Sequence, residues 1–120
     1  MFELKAESSF SSAHHLLNYE GKCENQHGHN WKTEVFARGD KLDKSNILID
    51  FKVLKAELDK VIDKLDHQDI NLLPDFKEVS PSSEILAKYI YEQLKLVLPA
   101  VSKVTVWETE KACASYFEED

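Results

Sequence analysis

Two long stretches of alternating apolar and polar residues constrain the fold of this chain more than any other feature. In the first, from Phe2 to about His14, the even positions include the apolar residues Phe2, Leu4, Ala6 and Phe10, while the odd positions include the polar residues Glu3, Lys5, Glu7 and Ser9. The second, from His27 to Arg38, repeats the alternation with Trp31 and Val35 on its apolar side. A period of two residues is typical of a strand with one buried face. The sequence therefore predicts two antiparallel strands, joined by the loop that contains Cys23.

The rest of the chain predicts two helices followed by two more strands. One apolar helical stripe follows Asp50, a suitable N-cap, and a second follows Ser80 and Pro81, which fit the N-cap and the first helical position. Pro99 ends this second helix. The alternating segments "VSKVTVWET" and "ACASYFE" form a hairpin, and residues 46–50 add a short extended piece. We expect an α+β fold, with a four-stranded antiparallel sheet and two helices on one of its faces.

Composition limits the classes of function. The 120 residues, 42% of them hydrophobic, are enough for a real core, and we expect residues 1–120 to form a single domain. With 22 acidic and 15 basic residues the formal charge is -7, which disfavours binding to nucleic acid or to anionic membranes. Because the sequence has neither a membrane-spanning apolar run nor a leader-like start, we expect a cytoplasmic protein with free thiols at Cys23 and Cys113. We expect Cys113 to be a small packing residue.

Three histidines are placed to meet at one end of the predicted sheet. His27 and His29 lie two residues apart on a strand, so their side chains point the same way. The alternation of the first strand puts His14 on that same face, whereas His15 takes the opposite parity and is expected to be exposed. Three imidazoles without a carboxylate match a zinc ion that keeps a fourth position for water or substrate.

The loop before these histidines leaves two interpretations open. In "CENQHGHNW", Cys23 is either a reactive thiol beside an open metal site or the fourth ligand of a closed zinc clamp. The apolar patterning favours the open site, because a chain with such a core does not need a metal to fold. Asp66 and His67, in "LDHQDIN", carry little information when taken alone. Glu108 shares the inward parity of its strand, where an ionised carboxylate needs a strong donor partner.

Six segments in fixed order carry a resemblance to a known family: "FSSAHHL", "CENQHGHNW", "ILIDFKVLK", "LDHQDIN", "SSEILAKYI" and "VTVWET". Over nearly the whole chain they resemble the 6-pyruvoyl tetrahydropterin synthase and 6-carboxytetrahydropterin synthase family. The resemblance implies the T-fold, or tunnelling fold, in which subunits join through their sheets into trimeric rings that usually pair into hexamers, with active sites at subunit interfaces. The spacing between Cys23 and His27 resembles that of the bacterial queuosine-pathway enzymes more than that of the animal enzymes, whose intervening segment is longer.

The resemblance also implies roles for individual residues. The implied zinc ligands are His14, His27 and His29, the implied catalytic group is the Cys23 thiol with Asp66 and His67 as its partner dyad, and the implied substrate-binding residues are Glu108, Ser82 and Ser83. Within this set, the resemblance implies that Glu108 anchors the pterin ring of the substrate. The chain departs from the family at His15, where arginine is frequent, and this departure concerns the contacts with the substrate's triphosphate.

The implied reaction is the zinc-dependent conversion of 7,8-dihydroneopterin triphosphate to 6-carboxy-5,6,7,8-tetrahydropterin, with release of acetaldehyde and triphosphate. Zinc lowers the pKa of the substrate's hydroxyl groups, a thiolate at Cys23 accepts a proton, and His67, oriented by Asp66, moves a proton at the other end. Two alternatives stay open at this point. One is a sister enzyme that makes 6-pyruvoyltetrahydropterin by eliminating triphosphate alone, and the other is a non-catalytic zinc module in which Cys23 is a ligand.

Overall fold

The chain folds into an antiparallel sheet covered by two helices. The computed structural model describes residues 1–20 and 24–119. Over these residues the elements are, in order, β1 (Phe2–His14), β2 (His27–Gly39), α1 (Phe51–Asp63), α2 (Ser83–Val97), β3 (Val101–Thr109) and β4 (Ala112–Tyr116), with short 3-10 turns at Ile70–Leu72 and Pro74–Phe76. The strands form one sheet in the order β1-β2-β3-β4, and every neighbouring pair is antiparallel. The predicted α+β fold is confirmed.

The β1–β2 hairpin is the longest feature of the sheet and carries the candidate site at its end. The two strands pair along their full length, and the last pair of the ladder is His14 opposite His27. Trp31 and Val35 are fully buried, as the alternation predicted. Register is fixed by this burial, since a slip of one residue moves every apolar side chain to the other face.

The core lies between the sheet and the helices, because α1 packs on β1 while α2 packs on β3 and β4. Asp50 caps α1 as predicted, since its side chain accepts a hydrogen bond from the backbone N–H of Lys52 at 2.8 Å. The largest fully buried side chains include Trp31, Phe76, Leu54, Leu58, Ile62, Leu65, Ile70, Leu86, Ile90 and Leu94. None of the helices in the described part of the chain is long and apolar enough to cross a lipid bilayer.

The start of α2 differs from the prediction. Ser82, rather than Ser80, is the N-cap, and its Oγ accepts a hydrogen bond from the backbone N–H of Ile85 at 3.2 Å. Ser80 instead accepts from the backbone N–H of Leu17 at 2.9 Å. The Pro81 carbonyl accepts from the ring of His14. Tertiary contacts with the end of β1 therefore hold Ser80 and Pro81 outside the helix.

Residues 46–50 form bends that follow a turn at residues 44–45, rather than the short extended piece that the sequence predicted. The Asp43 side chain accepts hydrogen bonds from the backbone N–H groups of Ser45 and Ile47, at 2.8 and 3.1 Å. Asn46 adopts a positive φ of 64°. Asp and Asn favour such turns because their side chains bond the nearby backbone and tolerate the left-handed region. The prediction was wrong because these local bonds outweigh strand pairing here.

Candidate metal centre and active site

The three histidines meet at the end of the β1–β2 ladder. The ring centroids of His14 and His27 are 4.7 Å apart, those of His27 and His29 are 4.7 Å apart, and those of His14 and His29 are 5.4 Å apart. His14 is buried, whereas His27 and His29 are half-buried, so the cluster is open on one side. The structure thus brings together the side chains that strand alternation placed on one face.

Trp31 forms the floor of the cluster. Its indole packs edge-to-face against His14 and His29, with centroid distances of 4.8 and 5.1 Å. The indole N–H donates to the carbonyl of Ser12 at 3.3 Å, and Phe10 stacks on the ring at 5.7 Å. A side chain held by a hydrogen bond and by close packing keeps one rotamer. The two imidazoles therefore rest on a rigid surface.

Two backbone carbonyls orient the imidazole rings. The Nδ1 atom of His14 lies 2.8 Å from the carbonyl oxygen of Pro81, and the Nδ1 atom of His27 lies 2.9 Å from that of Asn25. Because a carbonyl oxygen only accepts, each Nδ1 atom carries a proton and donates it. In the neutral form of such a ring, the lone pair is on Nε2. Metal-binding histidines are oriented in this way by partners on their second ring nitrogen.

Glu108 approaches the histidines from β3. The β3–β4 register shifts between Trp107 and Thr109, and such bulges re-aim side chains. The Oε1 atom of Glu108 lies 2.8 Å from the Nε2 atom of His29 and 3.8 Å from that of His14. The other carboxylate oxygen, Oε2, accepts a hydrogen bond from the Ser83 hydroxyl at 3.1 Å. The predicted inward orientation is confirmed, but the proximity to the imidazoles was not predicted.

The donor atoms fit a metal ion. One atom from each of His14, His27, His29 and Glu108 lies within 4.8 Å of the others. The Nε2 atoms of His14 and His29 are buried, and no described group bonds them with hydrogen-bond geometry. Burial lowers the pKa of His29, and the imidazoles of His27 and His14 lower it further, while Glu108 acts in the opposite direction. A lowered pKa favours the neutral imidazole, which is the form that binds metals.

Glu24 closes the loop between β1 and β2. Its backbone N–H donates to the Leu16 carbonyl at 2.9 Å, and its Oε1 atom accepts from the Leu16 backbone N–H at 3.0 Å. The same Oε1 atom lies 3.7 Å from the Nδ1 atom of His27. These contacts continue the hairpin past the His14–His27 pair. Cys23, the predicted catalytic thiol, lies outside the described residues, so its predicted role stays a prediction.

Asp66 and His67 lie along the outer edge of β1. The Oδ1 atom of Asp66 accepts from the backbone N–H of Ser11 at 2.9 Å, and the backbone N–H of His67 donates to the Ser11 carbonyl at 2.7 Å. The Nδ1 atom of His67 is 3.0 Å from Asp66 Oδ2, so the two residues form the predicted dyad. The hydrogen bond from Ser11, above all, and the contact with His67 lower the pKa of Asp66.

The dyad is not joined to the histidine cluster within the described part of the chain. The His67 side chain is 82% exposed, and its φ of 55° is in the left-handed region, which is uncommon for a residue other than glycine. Such backbone conformations concentrate at functional sites. The dyad therefore lies exposed beside the edge of β1, apart from His14, His27 and His29.

His15 is half-buried rather than exposed, so this prediction was wrong. Asn71 holds it from both sides: its Oδ1 atom accepts from the His15 backbone N–H at 2.9 Å, and its amide donates to the His15 carbonyl at 3.0 Å. The Nδ1 atom of His15 is buried without a hydrogen-bond partner among the described residues. Parity failed here because β1 ends at His14, after which alternation no longer applies.

A cavity of about 460 Å³ lies beside Glu108 and is lined by Ser83, Glu84, Glu108, Ala112, Cys113, Ala114 and Ser115. Ser83 reaches it, whereas Ser82 caps α2. Cys113 is exposed, which contradicts its predicted role as a packing residue. Glu84 also lines the cavity and was not predicted from the sequence. Its position directly after Ser83 was the signal that could have identified it. The cavity exposes a carboxylate and a hydroxyl, and Glu108 connects it to the histidine cluster through its contact with His29. Acceptor groups of this kind suit a small polar heterocycle.

Comparison with known proteins agrees with this geometry. The sequence profile of the family described as 6-pyruvoyl tetrahydropterin synthase matches residues 3–119. A Synechocystis protein named 6-carboxy-5,6,7,8-tetrahydropterin synthase is 36% identical, and the match covers 98% of this chain and 94% of that protein. The human protein named 6-pyruvoyl tetrahydrobiopterin synthase is 32% identical, over 90% of this chain and 86% of its own.

Solved structures give the same result for the fold. The structure of Caenorhabditis elegans 6-pyruvoyl tetrahydropterin synthase superposes with a TM-score of 0.87 at 32% identity, covering 98% of this chain and 96% of that one. The Plasmodium vivax 6-pyruvoyl tetrahydropterin synthase superposes with a TM-score of 0.78 at 27% identity, covering 99% and 98% of the two chains. Both matches extend over the whole sheet and both helices.

Proposed function

The chain belongs to the 6-pyruvoyl tetrahydropterin synthase family of T-fold enzymes, and on that premise we propose that it is a zinc-dependent 6-carboxy-5,6,7,8-tetrahydropterin synthase. The proposed substrate is 7,8-dihydroneopterin triphosphate, and the proposed products include acetaldehyde and triphosphate. The cluster of His14, His27, His29 and Glu108 beside an open cavity is the observation that carries the proposal. We further propose one functional domain over residues 1–120, a cytoplasmic location and a place in queuosine synthesis.

The proposed metal is zinc, held by His14, His27 and His29. Neutral imidazoles with oriented rings are common zinc ligands, and a site with only three protein imidazoles leaves room for substrate. When bound, zinc acts as a Lewis acid that lowers the pKa of hydroxyl groups and stabilises developing negative charge. The carbonyls of Pro81 and Asn25 hold the rings of His14 and His27 in the metal-binding orientation before any metal arrives.

The proposed proton transfers use Cys23 and the Asp66–His67 dyad. Cys23 precedes Glu24, the residue that closes the loop beside His27, and a thiolate near a cation is a suitable general base. His67 supplies or removes the second proton, while the Asp66 carboxylate keeps its ring oriented and stabilises its protonated form. Protons then move between the side chain and the pterin ring of the substrate, and this step needs no external redox cofactor.

Glu108 and Ser83 are the proposed substrate-binding residues. The aminopyrimidine edge of a pterin presents adjacent N–H donors, and the Glu108 carboxylate beside the cavity is a matching acceptor. Ser83 holds one oxygen of this carboxylate, so we assign it to the positioning of Glu108. Ser82 was predicted in the same group, but its Oγ serves the helix cap, and we assign it a structural role.

Two observations support an interface between copies of this chain as the place where the site is completed. The segment around His67 to Asn71 covers the outer edge of β1 only near Ser11 to His15, which leaves the earlier part of that edge unpaired among the described residues. On the other side of the sheet, β4 pairs only with β3. Open edges favour pairing between subunits, and closed rings satisfy them. We propose trimeric rings that pair into hexamers.

A turnover assay tests the proposed reaction. The protein is incubated with zinc and 7,8-dihydroneopterin triphosphate, acetaldehyde is measured with a coupled alcohol dehydrogenase, and the pterin product is identified by its mass. We expect acetaldehyde and 6-carboxytetrahydropterin in equal amounts, and no turnover by His27→Ala. A pyruvoyl product without acetaldehyde would instead favour the sister enzyme, the activity after which the human and nematode relatives are named. No product at all would favour a non-catalytic zinc module.

A complementation assay tests the interface. His27→Ala damages the metal half of a site, and His67→Ala damages the dyad half. If the two halves come from neighbouring subunits, mixed rings of these inactive variants contain some intact sites, about a quarter of the total for random mixing. We expect co-expression to restore activity near that level. Mixed oligomers that remain inactive would show that both halves belong to one subunit.

A further inference from the structure

The two oxygens of the Glu108 carboxylate face different partners. Oε2 accepts a hydrogen bond from Ser83, the first residue of α2, which is buried. The N-terminal end of a helix also favours negative charge near it. Oε1 is turned the other way, 2.8 Å from the Nε2 atom of His29 and 3.8 Å from that of His14. The carboxylate is therefore held with one oxygen at the mouth of the histidine cluster.

These distances suit a shared metal better than direct bonds to the rings. A tetrahedral zinc site with bonds of roughly 2.0–2.2 Å holds its donor atoms about 3.4 Å apart. The two distances from Oε1 lie on either side of that value. The contacts also lack hydrogen-bond geometry, since both Nε2 atoms are without a hydrogen-bond partner in the described part of the chain. Oε1 thus stands where a fourth donor belongs.

We propose that Glu108 is the fourth metal donor in the substrate-free protein and leaves the metal when a pterin binds. This inference rests on the proposed function, because it assumes the zinc site and the pterin cavity. The aminopyrimidine N–H groups compete for the carboxylate, which turns from the cluster toward the cavity that it also lines. Recognition of the pterin ring then frees the metal position that the substrate's hydroxyl groups need. Molecules that lack the aminopyrimidine edge leave Glu108 at the fourth metal position.

Cobalt spectroscopy tests the exchange. Co²⁺ replaces zinc in the full-length protein, and its visible absorption reports the number and type of donors. The probe is neopterin, which carries the aminopyrimidine edge without the triphosphate. We expect neopterin to change the spectrum of the unmodified protein. We also expect Glu108→Ala and Glu108→Gln to change the spectrum of the substrate-free protein and to weaken metal binding. The expected loss of affinity is at least about tenfold, because removal of a residue that only supports a ligand already costs that much.

Controls separate this inference from the proposed function. Glu110→Gln removes an exposed carboxylate two residues away and is expected to match the unmodified protein in spectrum and metal affinity. Melting curves show whether the Glu108 variants remain folded, and the conservative glutamine retains a partner for Ser83. If the unmodified protein binds Co²⁺ but the Glu108 variants give the same spectrum and affinity, this inference is overturned while the zinc site stands. If the unmodified protein binds neither Co²⁺ nor zinc, the proposed function fails, and the inference with it.

Discussion

Glu24 and Leu16 are joined by two hydrogen bonds just beyond the His14–His27 pair, one through the Glu24 backbone N–H and one through its side chain. Leu16 follows His14 closely in sequence, and Glu24 shortly precedes His27. The two bonds therefore fix the separation of the strand ends that carry two of the proposed ligands. Without them the hairpin would end at its last histidine pair, where strand ends fray.

We expect Glu24→Ala to weaken zinc binding about tenfold or more, the range for groups that support metal ligands from outside the first coordination shell. The physical reason is the lost side-chain bond to Leu16, which leaves the position of His27 less well defined. Zinc affinity is measured by competition with a chromogenic chelator. Glu24→Gln keeps an acceptor oxygen and is expected to retain most of the affinity. Equal losses in both variants would contradict this explanation and would indicate that the charge of Glu24 matters instead.

We expect His27→Ala to remove zinc and turnover together, because two imidazoles do not hold the ion firmly in an open site of three. His67→Ala is the matched control, since its ring lies outside the histidine cluster. It is expected to retain stoichiometric zinc and to lose turnover. Zinc content is measured by elemental mass spectrometry after gel filtration. Full zinc occupancy of His27→Ala would remove His27 from the ligand set.

Much of the fold and part of the site could be predicted because strands have a strict period. Alternation predicted β1, β2 to within one residue of its end at Gly39, and the buried face that holds Trp31 and Val35. It also placed His14, His27 and His29 on one face, because every second side chain of a strand points the same way. These three histidines come together once β1 and β2 pair in the observed antiparallel register. That register is determined by which face of the two strands is buried.

The remaining features depend on contacts that sequence periodicity does not encode. Ser80 was predicted as the cap of α2, but contacts with the end of β1 hold it outside the helix. His15 was predicted to be exposed, but Asn71, distant in sequence, holds it half-buried. The approach of Glu108 to His29 needed a bulge in β3 whose position the apolar pattern does not mark. Cys113 was predicted to be a packing residue from its residue type alone, and the structure leaves it exposed.

Ser82→Ala tests the corrected cap. We expect a loss of about 1 kcal/mol in the free energy of unfolding, the usual value for removing an N-cap side chain. The loss arises because the backbone N–H of Ile85 no longer has the Ser82 oxygen as acceptor. Thermal or urea unfolding measures it. Ser82→Asp supplies a carboxylate acceptor at the same position and is expected to restore stability. A large change in KM with unchanged stability would instead support the original prediction that Ser82 binds substrate.

The ionised side chain of Glu34 contributes to the stability of the fold on the sheet face opposite the helices. Burial raises the pKa of Glu34, but hydrogen bonds from Trp107 and Lys5 and the charge of Lys5 outweigh it, so the pKa lies below its ordinary value of 4.5. Trp107 Nε1 donates to Oε1 at 2.6 Å, and the Lys5 ammonium is 3.0 Å from Oε2.

A lowered pKa in the folded state means that Glu34 stabilises the fold above its ordinary pKa and that this contribution is lost as pH falls through the lower, folded value. We expect Glu34→Gln to be less stable than the unmodified protein near neutral pH and the difference to shrink on acidification. Urea unfolding at several pH values measures the difference. Glu110→Gln, at an exposed position, is the control. A difference that stays constant or grows as pH falls would contradict the assignment.

Cys23→Ala decides whether the loop carries a catalytic base or a structural ligand. With three imidazoles as ligands, we expect the variant to retain about one zinc per chain and a normal melting temperature. We expect turnover to fall by a factor on the order of hundreds or more, as for loss of a positioned proton-transfer group. If Cys23 instead completed a closed clamp, zinc affinity and melting temperature would fall together, because the binding free energy of the ion would then contribute to folding. Zinc content, melting curve and turnover of this single variant therefore distinguish the two roles. Retained metal with lost turnover supports the base, and lost metal with lowered stability supports the clamp.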